Sequence, residues 1–108
     1  MPAKIFGSLL VNTTTWQPVV VGRPGYESVI TVNVSNHNNS DALVSMALTV
    51  SASLPLVSAK DVLFLDQIVY ARNTRQFPGL ILPENITLAI KSDTPNISVI
   101  VYGYEEEI

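Results

Sequence analysis

The sequence predicts an all-β chain, a single β-sandwich or jelly-roll-like domain of seven to eight mostly antiparallel strands. Three observations predict it. Apolar residues alternate with polar ones over several short runs, most cleanly in Tyr26–Asn36. Turn formers, namely Asn-rich tips and prolines, separate these runs at fairly even spacing. No long segment carries a strong helical period, so a doubly wound nucleotide-binding fold is not expected.

Lys4–Val11 reads as a first strand interrupted by Gly7, followed by a polar turn over Asn12–Thr15. Trp16–Gly22 contains Pro18, which has no N–H for a ladder, so this strand either belongs at a sheet edge or starts after the proline. Arg23-Pro24-Gly25 is a turn. In Tyr26–Asn36, Ile30, Val32 and Val34 face one way and Thr31, Asn33 and Ser35 the other, as in a half-buried antiparallel strand. His37–Asp41 is a polar tip. Ala42–Val50 alternates again, and the two strands read as a hairpin. Helix is the alternative for Asp41–Ser51, whose Ala, Leu and Met favour it.

Ser51–Lys60 is long enough for a crossover between two sheets. Asp61–Ala71 is ambiguous. Val62, Phe64, Ile68 and Tyr70 fit a strand with one irregularity, whereas Leu63, Leu65, Ile68 and Val69 partly fit a helix. The strand reading is adopted. Arg72–Pro78 is a loop or short strand, and Leu80–Leu82 a short apolar piece. Ile86–Ile90 and Ile97–Tyr104 flank the polar break Lys91–Asn96 and read as a closing hairpin. The last run is apolar on both phases: Ile97, Val99 and Val101 on one, Ile100, Tyr102 and Tyr104 on the other. That pattern predicts burial on both sides, in a sheet centre or against another subunit. Residues 104–108, with three glutamates, read as an acidic solvated tail that stops further pairing.

The 108 residues make one domain spanning 1–108, long enough to bury a core. Charged residues are only 14%, against about 25% in an ordinary globular chain, which raises the expectation of an interface. The net charge is −3, and the six basic residues form no run, so no nucleic-acid or anionic-membrane partner is expected. Arg72 and Arg75 are a bland surface pair. There is no cysteine, which excludes disulfides, a thiolate nucleophile and Cys-ligated metal. No segment approaches ~20 apolar residues, and no signal segment is read at the N-terminus, so synthesis in a cytoplasm is expected.

Chemistry is scarce. His37 lies in a turn and reads as solvent-exposed rather than catalytic. Asp61 and Asp66 flank an apolar run and could meet, but nothing around them predicts the shifted pKa of an acid–base pair. The three glutamates suit a solvated end better than a Ca²⁺ site. No phosphate-binding or nucleophile-elbow motif occurs. The N-x-[ST] triplets at Asn12, Asn33, Asn38, Asn85 and Asn96 mark turns and solvent-facing positions. The expectation is no catalytic, cofactor or metal site. The candidate oligomer or partner interface consists of Trp16, Tyr26, Ile100, Tyr102 and Tyr104. Exposed aromatics among these would stack on sugar rings in an alternative carbohydrate- or receptor-binding module.

Four stretches carry a resemblance. They are V-N-V-S-N-H-N-N-S-D-A-L-V-S-M-A-L, the loop S-A-S-L-P-L-V-S-A-K-D, the segment L-I-L-P-E-N, and the closing N-I-S-V-I-V-Y-G-Y-E-E. Over Val29–Glu106 the chain resembles small virion structural proteins of tailed bacteriophages. The resemblance implies a non-enzymatic β-sandwich of the virion that decorates a capsid or sits at a collar, tail or fibre. It also implies homo-oligomers, often trimers, and the major capsid protein or other virion proteins as partners. A cement protein needs surface complementarity and no chemistry, and its binding energy adds to shell cohesion.

Overall fold

The computed structural model describes residues 3–11, 14–50 and 57–108. Its strands are β1 (Lys4–Val11), β2 (Gln17–Val21), β3 (Tyr26–Asn36), β4 (Ala42–Thr49), β5 (Val62–Val69), β6 (Thr74–Leu82), β7 (Thr87–Ser92) and β8 (Ile97–Glu107), with one 3₁₀ turn at Ala59–Asp61. They form two four-stranded antiparallel sheets. The first has the order β1-β8-β3-β6 and the second β2-β7-β4-β5.

The pairing has a simple logic. β1 pairs with β8, β2 with β7, β3 with β6 and β4 with β5. The chain is therefore one long antiparallel hairpin, rolled up so that β3 also pairs with β8 and β4 with β7. This is an eight-stranded jelly roll. Among the described strands, β4 and β5 are the only consecutive pair that share a ladder.

The core forms where the inner phases meet. Ile30, Val32 and Val34 of β3 and Ile97, Val99 and Val101 of β8 face Val44 and Met46 of β4 and Leu88 and Ile90 of β7, all buried. The Phe64 and Phe77 rings, 5.1 Å apart between centroids, bridge the two sheets at their β5–β6 side. Pro18 lies in β2, an edge strand, as its missing N–H requires.

Several expectations are corrected. β3 and β4 are not a hairpin, and neither are β7 and β8; in each case the loop carries the chain from one sheet to the other. Conversely, the connection after β4 leads to a neighbour in the same sheet, not across the sandwich. Residues 51–56 of that connection lie outside the described residues. Asp61–Ala71 does contain a strand, but its phase changes. Asp66 has φ 48°, and the pairing with β4 slips between Val44 and Met46. Phe64 and Val69 point inward on either side of this bulge, whereas Ile68 and Tyr70 are exposed.

β8 is a central strand, between β1 and β3, but it is not buried on both faces. A two-layer sandwich covers one face of each sheet. Ile100 remains 40% and Tyr104 48% exposed. Nor do the glutamates leave the sheet. β8 stays paired through Glu107, opposite Tyr26, because main-chain bonds need no apolar side chain. Inside this region Gly103 packs against β3 so closely that a Cβ would run into the Val29 carbonyl oxygen.

Candidate functional site

The outer face of the first sheet can be read row by row from its register. Tyr104, Val29 and Ile81 stand directly opposite one another across β8, β3 and β6. The next row holds Ile5, Tyr102 and Thr31, and the next Ser8, Ile100, Asn33 and Gln76. Ile5, Val29, Ile81, Ile100 and Tyr104 are all exposed, Ile5 by 70%. Ile5, Ile100 and Tyr102 share a shallow, mostly apolar depression with Ala3 and Lys4. The result is a continuous apolar patch that runs diagonally over four strands. Such patches on a small protein mark interaction surfaces.

Tyr102 shapes its centre. Its phenol oxygen accepts a hydrogen bond of 3.1 Å from Gln76 Nε2, on β6. β3 lies between β8 and β6, so the phenol reaches across it and the residue is half-buried. A phenol with its polar end satisfied and its ring available suits a contact surface.

Polar groups bound the patch at both ends. At one end Glu27 stands opposite Glu106, both exposed, a like-charge pair that costs stability in isolation. At the other end Ser98, Ser35 and Thr74 form a hydroxyl row, with Ser35 Oγ and Thr74 Oγ1 2.8 Å apart. His37 Nε2 lies 2.9 Å from Ser98 Oγ there.

Glu105 lies on the inner phase of β8 at the end of the sandwich. Its Oε1 takes both Lys4 Nζ and Arg23 Nη1 at 2.8 Å. The hydrogen bond from Lys4 chiefly holds the Glu105 carboxyl below its ordinary pKa; desolvation opposes this, and Arg23 adds to it. The Arg23 guanidinium also stacks on Tyr26, 3.9 Å from the ring centroid.

The five residues expected at an interface therefore divide. Ile100, Tyr102 and Tyr104 come together on the outer face of the first sheet. Tyr26 sits at the end of the sandwich beneath Arg23. Trp16 directly precedes β2 of the second sheet, with Lys91 Nζ of β7 5.0 Å from its ring. Ile5, Val29 and Ile81 were missed. Val29 carried a readable signal, since it shares a phase of β3 with Thr31, Asn33 and Ser35, where an apolar residue is out of place.

Asp61 accepts hydrogen bonds from the Ser58 N–H and hydroxyl, and Asp66 sits in the β5 bulge with its N–H on Ser45 Oγ. Among the described residues, no three His, Cys, Asp or Glu side chains are grouped to hold a metal ion. No described helix is long and apolar enough to cross a membrane. No protein-family model matches the chain, and no curated protein matches it.

Proposed function

We propose that the protein is a non-enzymatic structural component of a phage particle, a capsid decoration or cement protein that bridges and stabilises major capsid protein subunits. The observation that carries this reading is the apolar patch on the outer face of the first sheet, presented by a chain with 14% charged residues. An exposed apolar sheet face binds by complementarity and needs no reacting group. The resemblance of Val29–Glu106 to small virion proteins supports a place in a particle. The jelly roll agrees with it by analogy, since capsid domains share that architecture, but lectins share it too.

The separation of the aromatics favours this reading over a carbohydrate-binding module. Trp16, just before β2, and Tyr26, beneath Arg23, lie apart from Tyr102 and Tyr104 on the outer face of β8, so no single groove gathers all four for sugar stacking. Placement at a collar, tail or fibre is the alternative within the same class. In that case the same face meets a different virion protein, and the copy number per particle is low.

The test is co-sedimentation of purified protein with particles lacking it. Wild-type protein pellets with the particles and raises their resistance to heat or chelation. A folded Val29→Lys/Ile81→Lys variant stays in the supernatant. Pelleting of that variant at the wild-type level contradicts the role of this face, and failure of the wild type to pellet contradicts the proposed function.

A further inference from the structure

We infer that Arg75 and Gln67 guard the open edge of β5, keeping its outward main-chain groups closed to strand addition by another chain. The inference concerns the second sheet and does not depend on the proposed function.

An edge strand with exposed apolar side chains is a template for pairing with other chains unless something blunts it. Among the described strands, three of the four sheet edges are blunted by the main chain. β2 contains Pro18, and β6 contains a bulge at Pro78–Gly79, with Gly79 at φ 72°. β1 runs so close to β2 that a Cβ on Gly7 would meet the Val19 carbonyl oxygen. β5 is the fourth edge. It exposes Leu63, Leu65 and Ile68, with Tyr70 exposed just beyond it. No proline interrupts it, and past its bulge Ile68 is in register with Leu43.

The hydrogen bonds of Leu43 show which way the β5 main chain faces. The Leu43 N–H donates to Asp93 Oδ1 at 2.8 Å, and the Leu43 carbonyl accepts from the Asp93 N–H at 3.1 Å. Leu43 therefore turns its main chain away from β5. Ile68 stands opposite it, so in an antiparallel ladder the Ile68 N–H and carbonyl turn to the open edge. Arg75 already occupies that place. Its Nη1 donates to the Ile68 carbonyl at 2.9 Å and its Nη2 to Gln67 Oε1 at 3.1 Å. Gln67 Nε2 donates in turn to the Leu65 carbonyl at 3.1 Å. Two carbonyls of the edge strand are thus bonded to side chains of the guard.

Arg75 reaches β5 from the other sheet. It lies on the inner phase of β6, opposite buried Val34, and its guanidinium sits 5.0 Å from the Phe77 ring centroid. Phe77 packs in turn on Phe64 of β5. Ring and carbonyl together fix the guanidinium across the open side of the sandwich. The planar fork serves two acceptors at once, which a lysine ammonium at the same position does not match.

The experiment is sedimentation equilibrium of the full chain over a concentration series, with urea unfolding and amide hydrogen exchange on the same proteins. Arg75→Ala/Gln67→Ala is expected to shift to a multiple of the wild-type mass as concentration rises, and its β5 amides exchange more slowly in the heavier species. Adding Leu65→Lys, a charge on the exposed edge, returns the mass to that of the wild type without raising the urea midpoint. That rescue separates an opened edge from association through unfolding. Where the double variant fails to fold, Arg75→Lys, which keeps the charge and loses the fork, gives the same comparison. A variant without the guard that keeps the wild-type mass at all concentrations overturns the inference. So does association that Leu65→Lys leaves in place, or that leaves β5 exchange unchanged.

Discussion

Lys4 Nζ, in the first strand, lies 2.8 Å from Glu105 Oε1, in the last. Arg23 joins the same oxygen from the β2–β3 turn, so one carboxylate ties three separate parts of the chain at one end of the sandwich. The Glu105 pKa is lowered in the folded protein, first by Lys4. Its contribution to stability is therefore complete above the unfolded carboxylate value, about 4.3, and is lost as pH falls through the lower folded value. Thermal unfolding of wild type and Glu105→Gln is expected to differ most near neutral pH and to converge as the pH falls below the ordinary carboxylate range. A constant difference across that range would show that the charge is not involved.

Deleting Glu105–Ile108 is expected to destabilise the fold. The deletion removes the partner of Lys4 and Arg23 and the pairing of β8 with Tyr26–Ser28. Urea unfolding should show a lower midpoint with a single cooperative transition. An unchanged midpoint would restore the reading of these residues as a free tail.

Asn36 is 2% exposed and fully engaged. Its Nδ2 donates to the Ser40 and Val69 carbonyls at 2.9 and 3.0 Å, and its Oδ1 accepts from Asn38 N–H at 2.9 Å and Asn38 Nδ2 at 3.0 Å. Asn38 in turn donates to the Pro95 carbonyl. Three loops are thus held to one buried amide. Asn36→Ala leaves buried groups unpaired and is expected to cost about 2–4 kcal/mol in chemical denaturation. A loss below about 0.5 kcal/mol would show that the loops hold without it.

Opposite faces of β8 should respond oppositely. Val99 and Val101 are 0% exposed, so Val99→Asp or Val101→Asp buries an unpaired charge and costs several kcal/mol, enough to prevent folding. Ile100→Asp, one residue away on the outer face, leaves far-UV circular dichroism and thermal unfolding near wild type. A folded Val101→Asp protein would contradict the burial of the inner face of β8 in the core.

Gly103→Ala drives a Cβ into the Val29 carbonyl at a φ of 154° and is expected to cost about 3 kcal/mol or more. Normal stability of this variant would mean that β3 and β8 can separate locally.

The strands were legible in the sequence because side-chain alternation is local. Ile30, Val32 and Val34 announce an inner face whatever the strand pairs with. The pairing was not legible for the same reason. The five-residue tip His37–Asp41 serves equally well to turn a hairpin or to cross between sheets, and the inner faces of β3 and β4 satisfy both arrangements. The phase change in β5 depends on one residue, Asp66, at positive φ, and composition does not announce it. At the candidate interface, Ile100, Tyr102 and Tyr104 were readable as a second apolar phase of one strand. Ile5 and Ile81 were not, because they join the patch only through the β1-β8-β3-β6 order, which brings residues distant in sequence into adjacent rows.

Imaging of intact particles that carry this protein tests the proposed function most directly. A cement protein is expected to give density for a two-sheet sandwich at many symmetry-equivalent positions on the shell, touching major capsid protein, with the Tyr104–Val29–Ile81 row buried in a contact. Particles without such density, with the protein recovered only in the soluble fraction, would contradict it.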